Sequence, residues 1–117
     1  MNSLRREEKI LKRTDYLSLS ASGKKIYTPH FLVIWSVGGL PVARLGITAS
    51  RKFGSAVKRN RVKRLVREFF RHHKEKCITA DFNVIARRGA ESLSYLEVCQ
   101  ELDKAMENIR NLQCSSD

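Results

Sequence analysis

The chain has 117 residues, 42% of them hydrophobic, enough for one domain with a buried core and too many for a chain disordered throughout. Lys and Arg number 23 against 12 Asp and Glu, and the net charge of +11 suits a polyanionic partner. Cys77, Cys99 and Cys114 have no CxxC or Cys/His spacing, so neither a disulfide framework nor a zinc site is readable. The charged first residues lack the apolar run of a signal peptide, and no stretch approaches the roughly 18 apolar residues of a membrane span. A cytoplasmic protein without a membrane partner is expected.

Residues 1–13 are charged and show no core pattern, which reads as a loose basic tail. Thr14 or Asp15 caps a short helix running to about residue 21 and stopped by Ser22 and Gly23. Residues 30–37 (HFLVIWSV) are β-branched and aromatic and end at Gly38 and Gly39, the pattern of a strand and turn. Residues 42–50, entered through Pro41, read as an antiparallel hairpin partner. Ser55 caps a long helix that reaches residues 73–76, with Val62, Leu65, Val66, Phe69 and Phe70 as its buried stripe. Residues 81–87 form a further strand. Leu93, Leu96, Leu102, Met106 and Ile109 mark a last helix, and residues 113–117 a loose polar tail. The expectation is one α+β domain over residues 1–117, in the order α-β-β-α-β-α, with helices packed on a small mixed sheet.

The charge is concentrated. Residues 51–76 hold 11 basic and 2 acidic groups, whereas residues 77–117 hold 4 basic and 7 acidic. On a wheel of about 100° per residue, Arg59, Asn60, Lys63, Arg64, Arg67, Arg71 and Lys74 share one arc and the apolar stripe takes the opposite side. Arg61 sits on a shoulder between them. Arginine brings a planar fork suited to phosphate oxygens and lysine a flexible point charge. Upstream, Arg51 and Lys52 flank a helix start whose exposed amides accept phosphate. No catalytic group of the protein itself is evident. Carboxylates are scattered, His30 opens a strand, and His72 and His73 point about 100° apart, with His73 toward the apolar side.

The string from Lys52 through Arg67 resembles the Arg-Asn-Arg signature of bacterial ribonuclease P proteins. Arg59-Asn60-Arg61 stands as the motif, and Lys63, Arg64 and Arg67 as its basic continuation. Arg44-Leu45-Gly46-Ile47 is similar to the preceding family strand and residues 81–87 to the following one, so the likeness runs from about residue 10 to residue 110. The resemblance implies a left-handed β-α-β crossover and an auxiliary subunit, one protein monomer per RNA, of the endoribonuclease that removes the 5′ leader from precursor tRNA. It implies further that the RNA subunit carries the hydrolysis with Mg²⁺, that no organic cofactor is needed, and that Arg51, Lys52, Arg59, Asn60, Arg61, Lys63, Arg64 and Arg67 face that RNA.

The family cleft, between the first helix and the open sheet face, holds the single-stranded leader. The matching positions are Tyr16, Ser20, Ile34 and Trp35. Tyr16 is the candidate stacking platform, with a core role equally open. Ser20 and Ile34 stand where relatives carry aromatics. Trp35 shares a strand face with Phe31; Phe31 is assigned to the core, and Trp35 is compatible with either cleft or core. A structural RNA-binding protein of ribosomal type is the alternative that composition leaves open.

Overall fold

A computed structural model describes residues 8–37, 42–50 and 54–114, apart from the side chains of residues 76 and 114. The expected turn at Gly38 and Gly39, Pro41 and the outer parts of both tails lie outside these residues. The elements are helix α1 (Arg13–Ser22), strands β1 (Lys24–Tyr27), β2 (Phe31–Ser36) and β3 (Arg44–Thr48), helix α2 (Ala56–His72), strand β4 (Asp81–Ala86) and helix α3 (Tyr95–Cys114). Short 3-10 turns, Lys74–Lys76 and Ala90–Ser92, bracket β4.

The α+β architecture is as expected, with two corrections. The sheet has a further strand, β1, whose Lys-Lys-Ile-Tyr sequence carries no apolar alternation because it is an exposed edge. The hairpin expected between β2 and β3 does not form. The strand order is β1-β2-β4-β3, so β4 separates them. The reason lies in β4, whose Phe82, Asn83 and Val84 are all buried, as in a strand covered on both faces and flanked by two others. It runs antiparallel to β2, Phe31 opposite Ala86, and parallel to β3, Arg44 opposite Asp81. β3 and β4 are thus joined through α2, as a parallel pair requires.

Period-two alternation divides the sheet. Phe31, Val33 and Trp35 of β2 and Phe82 and Val84 of β4 meet Val62, Val66, Phe69 and Phe70 of α2 and Val98, Leu102, Met106 and Ile109 of α3 in the main core. On the other face Ile34 packs with Leu19 of α1 and with Ile10. Leu65, expected in the α2 stripe, is only half-buried at the rim of the core. Cys77 and Cys99 are half-buried free thiols, and burial pushes the Cys77 thiol up to about 12. No helix among the described residues is long and apolar enough to cross a membrane.

Local chemistry sets the helix ends. The Ser55 hydroxyl accepts the Lys58 amide at 3.3 Å, as an N-cap should. At the other end the ring of His73 stacks on Phe69 at 4.6 Å and its Nδ1 lies 2.9 Å from the Phe69 carbonyl. α1 starts before the expected cap: Thr14 and Asp15 lie inside it, and Lys12 holds the N-cap position without a side-chain bond. Asp15 has another partner. Arg44 donates from Nε and Nη2 to Asp81 at 2.8 and 2.7 Å and from Nη1 to Asp15 at 3.3 Å, tying α1 to two strands. The hydrogen bond to Asp81, ahead of the surrounding charges, holds the Arg44 guanidinium above its usual range.

The described residues at the inner ends of the two expected tails make contacts with the fold. Ile10 is buried and its amide donates to the Leu45 carbonyl at 2.9 Å, while Glu8 pairs with Lys74 at 2.9 Å. Gln113, in the last turn of α3, accepts through its side-chain oxygen from Trp35 Nε1 at 3.3 Å and Lys24 Nζ at 3.2 Å. Across the molecule, Glu101 of α3 accepts from the His30 amide at 2.7 Å and lies 2.9 Å from His30 Nδ1, fastening the start of β2.

Phe69→Ala removes a wholly buried ring and is expected to lower unfolding free energy by about 3–5 kcal/mol in urea titration. Leu65→Ala, at the rim, is expected to cost clearly less; equal losses would mean that α2 is rotated from the orientation described.

Candidate nucleic-acid interface

Burial of Val62, Val66, Phe69 and Phe70 turns the opposite side of α2 outward. Arg59, Lys63 and Arg67 recur at one-turn spacing there, with Asn60 and Arg64 alongside. Among the described residues none of these five side chains is engaged by a carboxylate. Arg59 is half-buried, and its buried Nε has no hydrogen-bond partner.

Three basic residues of the segment behave differently. Arg71 is held by Glu68 at 2.6 Å and Lys74 by Glu8 at 2.9 Å, so the far end of the expected cation row is neutralised within the protein. Arg61 reaches across to the carbonyl of Glu91 at 2.9 Å, which fits its place between the two faces and fastens the 3-10 turn before α3. Arg51 and Lys52 lie outside the described residues.

Beside this face is a cavity of about 590 Å³. Its wall is α1, through Arg13, Tyr16, Leu17 and Ser20; its floor is Ile47 and Thr48 of β3 with Asn83 and Ile85 of β4; Lys63 stands at its edge. An adjoining hollow of about 210 Å³ is lined by Lys9, Gly46, Lys63 and Arg67 and shares Tyr16 with the first. The Tyr16 ring lies against Gly46, where a Cβ would come within 2.5 Å of it, so glycine gives the phenol its place on the sheet. Aromatic surface and cations therefore meet in one trough, which suits stacked bases with flanking phosphates.

Of the four expected cleft residues, Tyr16 and Ser20 line this cavity. Ile34 does not; at 3% exposure it is sealed beneath α1 against Ile10 and Leu19. Trp35 does not either. It alternates to the opposite sheet face and is 1% exposed in the main core, as its strand-mate Phe31 is. Two lining residues, Thr48 and Asn83, are not singled out by the sequence pattern. The signal available was an asparagine inside the apolar run of a central strand, where an amide needs a reason to be.

The Ribonuclease P family model matches residues 4–110. The chain belongs to the ribonuclease P protein family. It is 40% identical over 102 residues to the ribonuclease P protein component of Geotalea uraniireducens, covering 87% of this chain and 90% of that protein. It is 44% identical over 101 residues to that of Syntrophus aciditrophicus, covering 86% of this chain and 85% of that one. The fold is similar to the solved ribonuclease P protein of Staphylococcus aureus, with a TM-score of 0.81, 31% identity and coverage of 87% of this chain and 94% of that one. That of Thermotoga maritima gives 0.80, 32%, 86% and 96%.

Membership of the ribonuclease P family decides against a ribosomal-type protein. The chain works with the ribonuclease P RNA in processing the 5′ end of tRNA. Replacing Arg59 and Lys63 together by alanine is expected to weaken binding to that RNA. It should also flatten the plot of log affinity against log salt by up to about 0.9 for each phosphate no longer neutralised. An unchanged slope in filter-binding titrations would deny these two side chains a phosphate partner.

Proposed function

We propose that this subunit lays the outer face of α2 on the ribonuclease P RNA and holds the single-stranded 5′ leader of precursor tRNA in the trough between α1 and the sheet. The observation that carries this reading is the position of Lys63, which belongs at once to the cation row of α2 and to the edges of both hollows. A polyanion lying along α2 and a single strand in the trough would share that lysine, so the protein would gather RNA subunit and substrate side by side. Within the trough Tyr16 offers a ring for stacking, and Arg13, Lys63 and Arg67 offer charge to the phosphates on either side.

Hydrolysis is assigned to the RNA subunit with its Mg²⁺. Among the described residues no three His, Cys, Asp or Glu side chains come together to hold a metal ion. The protein's part is to bind, to position, and to lower the repulsion between two polyanions. One monomer per RNA, acting in the cytoplasm, completes the proposal.

The test is reconstitution. Added to a bacterial ribonuclease P RNA, the protein is expected to lower the Mg²⁺ concentration needed to cleave precursor tRNA. The RNA-free protein with the same substrate and Mg²⁺ is expected to leave it intact; cleavage there would overturn the auxiliary role. Tyr16→Ala is expected to weaken precursor binding by about 1–3 kcal/mol, the worth of one stacked base. Leaderless tRNA should bind the variant and the parent holoenzyme alike. Equal losses for both substrates would remove the leader from the trough.

A further inference from the structure

Asn83 is the one buried polar residue among those described, 4% exposed and in the central strand β4. It faces α1 rather than the main core, opposite Gly46 in the parallel register and opposite Ile34 in the antiparallel one. With no side chain at Gly46, the neighbouring space is left to the Tyr16 ring and the cavity. The Thr48 hydroxyl donates to Asn83 Oδ1 at 3.0 Å, which fixes the amide's orientation. The amide N–H groups then have no acceptor among the described residues, although the side chain lines the cavity. A valine would suit this strand position at least as well.

We infer that Asn83, oriented by Thr48, reads the edge of one leader base and gives the protein a sequence preference for its substrate. The inference rests on the proposed leader trough. The amide presents a donor, so a base with a keto oxygen at that edge, guanine or uracil, is favoured over one with an amino group there, adenine or cytosine. The base stacks on Tyr16 while Arg13 and Lys63 take flanking phosphates. Asn83 thus sets selectivity, not chemistry.

The experiment uses the reconstituted holoenzyme and a pool of precursor tRNA with a randomised leader, with relative kcat/KM for every sequence read by sequencing. The parent protein is expected to favour guanine and uracil at one leader position by about 2- to 10-fold, the range of one neutral hydrogen bond. Asn83→Val is expected to level that position, and Thr48→Val to blunt it by freeing the amide to turn. Asn83→Asp, which offers an acceptor, is expected to reverse it toward adenine and cytosine. A parent profile without this preference, or one that Asn83→Val leaves as it was, overturns the inference. Tyr16→Ala separates the two levels. If it depresses cleavage across leader sequences while the Asn83→Val profile matches the parent's, the trough stands and the base reading falls. If Tyr16→Ala has no effect on any leader, the trough falls and takes the base reading with it.

Discussion

The rotation of α2 about its own axis is the constraint on which the interface depends. Val62, Val66, Phe69 and Phe70 enter a close-packed core against β2, β4 and α3, and such cores tolerate little sliding. Once those four side chains are seated, the directions of Arg59, Lys63, Arg64 and Arg67 follow from helix geometry. The apolar residues are therefore as much a part of the proposed RNA interface as the cations are. A turn of α2 by one residue's worth of angle would bury charge and expose phenylalanine.

Charge is managed unevenly along that helix. Near its C-terminal end Glu68 and Glu8 neutralise Arg71 and Lys74, whereas the middle is left bare. Like charges at one-turn spacing repel one another, a cost that a bound polyanion removes. The bare stretch is also the part that borders the trough, so the unsatisfied charge sits where substrate and RNA subunit would both be found. Arg61 has a task within the fold as well: its position between two faces lets it brace the turn that leads into α3.

Much of this is legible in the residues, and the gaps have physical causes. The amphipathic split of α2 can be read because period 3.6 and charge reinforce each other over many turns. The edge strand β1 cannot, since an exposed strand has no apolar alternation to betray it. Nor can the partner of β2: propensity marks a strand but not its neighbour, and β4, distant in sequence, displaces the nearer β3. Trp35 illustrates the limit for the site. Strand periodicity puts it with Phe31, but which sheet face the helices cover is a tertiary fact. Ile34 is a cleft candidate only by likeness to aromatics in relatives, and burial beneath α1 takes it out of the trough. Asn83 stays silent because a single polar residue in a strand declares no purpose until a cavity appears beside it.

The short bridge by which Lys9 pairs with Leu45 bears on how such a protein survives before its RNA arrives. β3 is the outer strand on its side of the sheet, and an uncovered outer strand is a template on which a second copy can add itself and begin a fibril. The Ile10 amide donates to the Leu45 carbonyl there. Lys9 and Ile10 thereby act as a selvedge at that point of the rim, leaving less of the outer strand open for a second copy to extend.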